Sequence, residues 1–125
     1  MYKFLNLHPQ KKIVADCVKR TFAAATDTPY EQIAKELNEL KKQTGCKKFN
    51  AKTNWKEYIK IRGWKKITFK AEAGKPRMNG KRFMEEYTKG TYVLQMAHHL
   101  TVCKNGNIFD TWDCTNKCVY AAWRV

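Results

Sequence analysis

A cysteine, a histidine and an aspartate, widely spaced and in that order, are the residues of this sequence best suited to chemistry: Cys17, His99 and Asp110. A thiol is a weak nucleophile until it loses its proton. The partial positive charge at a helix N-terminus favours the thiolate, and so does a nearby imidazolium. A backbone N–H at the same terminus can donate to the oxyanion of a tetrahedral intermediate. The histidine takes the thiol proton and later returns it to the leaving group, while an Asp or Asn fixes its tautomer and orientation. In this reading Cys17 is the nucleophile, His99 the base and Asp110 the orienting carboxylate.

The elements that must position these residues are legible in outline. Val14, Val18, Phe22 and Ala25 recur at spacings of three and four, which predicts a helix over residues 14–26. Asp16 is its expected N-cap, placing Cys17 in the first turn. Thr28, Pro29 and Glu31 form a capping-box pattern for a second helix, carried by Tyr30, Ile33, Ala34, Leu37 and Leu40 and stopped at Gly45. A third helix is expected over residues 53–62, with Gly63 ending it, and a short strand over 64–69. Residues 71–79 read as a loop, and Asn79 as the cap of a helix over 80–87. From residue 90 the pattern is strand-like: 91–96, 99–103, 108–110 and 119–123. Asn105-Gly106 is a strong hairpin signal between His99 and Asp110, which brings those two onto adjacent strands. Helices first and antiparallel strands later predict a single α+β domain over residues 1–125.

Asp16-Cys17-Val18-Lys19-Arg20, followed by a second helix, resembles the opening of small papain-like cysteine peptidases encoded by phages and bacteria. The stretches Gly90 to Leu94, His99 to Val102 and Gly106 to Asp113, which ends Asp-Thr-Trp-Asp, resemble the same family's histidine hairpin and its close. The resemblance runs in order along nearly the whole chain. It implies a papain-like fold, with N-terminal helices on a C-terminal antiparallel sheet. It also implies peptide or isopeptide cleavage by a triad of Cys17, His99 and Asp110. The family's oxyanion-hole glutamine precedes the cysteine; Gln10 is the nearest counterpart and Asn6 the next.

Three assignments stay open at this level. His98 stands beside His99, and consecutive strand residues face opposite ways, so only one of the pair can reach Cys17. Asp113 competes with Asp110, either being able to serve as a turn residue. Asp16 is an anion next to Cys17 and opposes thiolate formation unless it is engaged elsewhere. His98 and Trp112 are expected at the substrate pocket, Trp112 as core or pocket wall. Zinc bound by the histidine pair with Cys103, Cys114 or Cys118 is a weaker reading, since a second regular Cys-x-x-Cys knuckle is missing. No metal or organic cofactor is required.

Composition bounds the partners. The chain of 125 residues is 43% hydrophobic and 13% aromatic, which excludes a disordered chain. No apolar run is long enough to span a bilayer, and the N-terminal residues lack a signal-peptide pattern. A soluble protein of the cytoplasm is expected, of the host cytoplasm if phage-encoded. Five cysteines, an odd number, argue against a disulfide framework. The net charge of +14, from 25 Lys and Arg against 11 Asp and Glu, attracts polyanions. The alternative function is therefore a non-catalytic basic papain-like protein that binds nucleic acid or an acidic protein partner. Trp55, Tyr58 and Trp64 among Lys56, Lys60, Arg62, Lys65 and Lys66 are the best aromatic-basic interleaving for such binding.

Overall fold

Apolar residues at helical spacing bury one face of each N-terminal helix, and runs of β-branched and aromatic residues build the sheet beneath them. The structure, a computed structural model, describes residues 1–70 and 73–125. After a short strand, β1 (Tyr2–Phe4), come α1 (Cys17–Thr26), α2 (Tyr30–Thr44) and α3 (Lys52–Arg62). Gly45 and Gly63 end α2 and α3 in left-handed conformations, φ 74° and 72°, where a Cβ would be strained. Next are β2 (Lys65–Thr68), α4 (Gly80–Glu86), β3 (Thr91–Met96), β4 (His99–Lys104), β5 (Asn107–Asp110) and β6 (Ala121–Arg124). Asn79 caps α4 as expected, its side chain accepting the Arg82 N–H at 2.8 Å. Residues 71 and 72 of the expected loop lie outside the described residues.

The six strands form one sheet in the order β1-β5-β4-β3-β6-β2. Val93, Leu100, Val102 and Trp123 face a core shared with Phe22, Ile33, Leu37 and Trp55 of α1, α2 and α3. Their neighbours Leu94, Met96, Cys103 and Ala122 face a second core around Phe83 of α4. Both faces of the central strands are covered, so β3 and β4 read as nearly unbroken apolar runs instead of alternating. The β4–β5 hairpin turns at Asn105 and Gly106, both with positive φ (48° and 78°), as a two-residue I′-type loop requires. No helix is long and apolar enough to cross a membrane among the described residues.

The mixed α+β class is as expected, with several local differences. The sheet is not purely antiparallel, because β1 pairs in parallel with β5. α1 begins at Cys17, three residues later than its apolar spacing predicts; Val14 is 48% exposed and belongs to the preceding loop. Thr28 does not cap α2: its hydroxyl is bonded to Thr26, and Pro29 occupies the cap position. The last strand starts at Ala121, two residues later than expected, and the Val119 N–H goes to Met78 instead of to the sheet.

Candidate active site

The start of α1 is brought onto β4 by packing and by one buried hydrogen bond. The Thr21 hydroxyl, one turn beyond Cys17, donates to the Leu100 carbonyl at 3.0 Å. The β4–β5 ladder runs only from Lys104 to Val102, so Leu100 lies past its last rung. Its carbonyl serves α1, and its backbone amide helps to lower the Cys17 thiol. The Cys17 thiol, half-buried, shares the cleft with the His99 ring, which acts on its protonation.

His99 opens β4 and Asp110 closes β5. His99 Nε2 stands 2.6 Å from Asp110 Oδ2, with the two side chains 8% and 1% exposed. The remaining partners of Asp110 hold the carboxylate in place. Its Oδ1 accepts from Arg20 Nη1 at 3.0 Å and from the Thr111 N–H at 2.7 Å. Arg20 Nε in turn donates to Asp16 Oδ1 at 2.6 Å, and Asp16 Oδ2 accepts from the Tyr30 hydroxyl at 2.8 Å. One polar chain thus joins Tyr30, Asp16, Arg20, Asp110 and His99, with Cys17 in the same cleft as the imidazole.

This arrangement decides the protonation of the site. Burial would raise the Asp110 carboxyl, but the hydrogen bond and charge of His99, with help from Thr101 and Arg20, hold it at about 2. Burial would lower His99, but the hydrogen bond to Asp110 leads a set of contacts, including Cys114 and Cys17, that pushes it up to about 11. Burial would also raise Cys17; His99, the Leu100 amide and the Arg20 charge outweigh it and bring the thiol below its ordinary value. Both shifts act toward a thiolate beside an imidazolium.

The Asp16 question is answered by the same network. Asp16 occupies the N-cap position of α1 without capping it. Its charge is spent on Arg20 and Tyr30, and Arg20 returns a positive charge to the neighbourhood of Cys17. Arg20 carried no role in the sequence reading. Its i, i+4 spacing from Asp16 was the available signal.

Compared with known proteins, the chain matches no family model, no curated protein and no solved structure. The site therefore rests on its own geometry.

Of the remaining candidates, His98 sits at the two-residue β3–β4 turn with φ 51°, exposed, on the rim of a cleft of about 540 Å³ that contains Cys17 and His99. His99, not His98, meets Asp110. Gln10 is not brought to this cleft. It is exposed, in a loop where its backbone N–H donates to His8 Nδ1. Asn6 is buried and holds that loop by bonding Lys12 and His8. Trp112 is 44% exposed and leans on the His99 ring, centroids 5.0 Å apart, so it shields the imidazole rather than filling a core. Asp113 accepts from both Thr115 groups in a local turn, which leaves Asp110 as the carboxylate at the histidine.

Cys114, which the sequence offers only as one of three candidate zinc ligands beside the histidine pair, lies at the site. It is fully buried, with Sγ 3.5 Å from Asp110 Oδ2. His99, Asp110 and Cys114 have ligand-type atoms within 4.8 Å of one another. A metal there would have to displace hydrogen bonds that Asp110 already makes, and neither His98, Cys103 nor Cys118 belongs to the group. All five cysteines are free thiols.

Proposed function

We propose that this chain is a papain-like cysteine hydrolase that cleaves peptide or isopeptide bonds through a thioester on Cys17. The observation that carries the reading is the Cys17 thiol in one cleft with His99, whose ring acts on its protonation and is itself bonded to Asp110.

The Cys17 thiolate adds to the carbonyl carbon, and the electron pair moves to the carbonyl oxygen. No side chain caps α1, so its first-turn N–H groups are open to that oxyanion in place of a glutamine side chain. Protonated His99 gives its proton to the leaving amine as the C–N bond breaks, which leaves the acyl group on sulfur. Water then attacks the thioester, His99 takes its proton, and Cys17 departs as thiolate while the acid leaves. Asp110 keeps one face of the imidazole fixed throughout and stabilises its charged form. Arg20 holds Asp110. Transfer of the acyl group to an amine needs only that an amine replace the water.

The test is to incubate the protein with a mixed peptide pool and to follow new termini by mass spectrometry, with Cys17→Ala alongside. Cleavage or amine transfer present in the wild type and absent from the variant supports the reading. Identical pools with both proteins, across peptide and isopeptide substrates, would remove it.

A further inference from the structure

The cleft beside Cys17 carries a cation at its edge. Lys52, exposed at the start of α3, lines the cleft together with His98, and among the described residues no Asp or Glu does. The positive charge continues away from it. Lys56 is one helical turn beyond Lys52, and Lys66 lies on β2, the sheet's edge strand. The three ammonium groups feel one another: Lys56 lies below its ordinary value, first through burial and then through repulsion from Lys52 and Lys66. None of the three forms a salt bridge with a carboxylate among the described residues. Like charges at i, i+4 disfavour a helix, so the Lys52–Lys56 spacing does not serve α3.

Lys56 and Lys66 each stand 5.9 Å above an indole, Trp55 and Trp123 respectively, and those two rings meet edge to face at 5.7 Å. Both indoles are buried, so they offer no open ring faces on which bases could stack. Tyr58 is likewise core, and Trp64 packs edge-on against Phe22 and Tyr58. The aromatic-basic interleaving seen in the sequence is a core under a charged surface. Val18, Trp55 and Leu100 are apolar parts of the cleft lining, beside Asn50 and Gln95.

We propose that the cleft takes an acidic polypeptide segment, its backbone beside Cys17 and its carboxylates along Lys52, Lys56 and Lys66. The substrate assignment rests on the hydrolase reading above; the binding track does not.

Binding is measured by fluorescence anisotropy on Cys17→Ala, with a short fluorescein-labelled peptide alternating Glu and Ala, its Gln counterpart, and a single-stranded oligonucleotide of equal charge. The Glu peptide is expected to bind roughly tenfold or more tighter than the Gln peptide at low salt. The triple change Lys52→Gln, Lys56→Gln, Lys66→Gln should remove that margin. Equal removal of charge at Lys3, Lys81 and Lys89, exposed on β1, on α4 and just beyond it, should leave it intact. In the wild type, saturating Glu peptide should slow alkylation of Cys17. Equal losses in the two triple variants, indifference to Glu against Gln, tighter binding of the oligonucleotide, or unprotected Cys17 would each overturn the proposal. Selective Glu-peptide binding alongside an unreactive Cys17 would sink the hydrolase reading instead and keep the track.

Discussion

Arg20 Nη1 donates to Asp110 Oδ1 at 3.0 Å across ninety positions of sequence, and the other oxygen of the same carboxylate receives His99 Nε2 at 2.6 Å. The arginine on the nucleophile's own helix therefore orients the group that orients the base. Helix α1 and the β4–β5 hairpin are registered to each other through this carboxylate as well as through the Thr21–Leu100 bond, so a shift in either moves the whole Cys17–His99–Asp110 set.

Arg20 holds two buried carboxylates, Asp16 and Asp110. Arg20→Ala leaves both without their cation, and stability should fall by about 3–5 kcal/mol. Urea unfolding reads this as a lower midpoint at unchanged slope. Arg20→Lys cannot present the same fork to both carboxylates and should recover only part of the loss.

Asp110→Asn removes the charge that keeps His99 protonated. The His99 ring nitrogens, followed by NMR through a titration, should move from about 11 back toward the ordinary histidine value of 6.5. On the acid side, Asp110 has a folded value of about 2 against 3.8 ordinarily. Its contribution to stability is present above 3.8 and is lost as pH falls through about 2. Unfolding midpoints across that window should drop more steeply for the wild type than for Asp110→Asn.

The parts legible in the sequence are those set by local chemistry. Gly45, Gly63, Asn79 and Asn105-Gly106 each act within a few residues, and each does in the structure what its type dictates. The parts that were not legible depend on distant partners. Three residues of β1 carry too short a pattern to announce a strand, and they become one only by pairing with β5 from the opposite end of the chain. Asp16 has the right type to cap α1, yet an arginine and a tyrosine compete for its oxygens and win. Choosing between His98 and His99 required the turn: the β3–β4 hairpin puts His98 at its tip and His99 on the first rung, opposite Met96. Nothing near Cys114 in sequence ties it to the triad; a short turn after Asp110 returns its sulfur to that carboxylate.

Gly80 is a tight spot outside the site. A Cβ built there would lie 2.9 Å from Thr115 Cα and 3.0 Å from its carbonyl oxygen, both backbone atoms that cannot swing aside. Gly80→Ala should cost about 1–3 kcal/mol through overpacking, measured by urea unfolding.

His98 and Gln10 are close to the chemistry in sequence but not in contact with it. His98→Ala and Gln10→Ala should leave the rate of Cys17 alkylation at neutral pH unchanged, whereas Arg20→Lys should reduce it by loosening Asp110. Stopped-time labelling of the three variants separates the positions that hold the base from those that only neighbour it.

The most direct test of an activated nucleophile is site-resolved iodoacetamide labelling of all five cysteines at about pH 6, within the range of lowered thiol values, read by mass spectrometry. Cys17 should be alkylated far ahead of Cys103, whose thiol burial pushes up to about 11, and ahead of buried Cys114. That lead should disappear in His99→Ala. Uniformly slow labelling, or a fast Cys17 indifferent to His99, would contradict the thiolate–imidazolium pair on which the account depends.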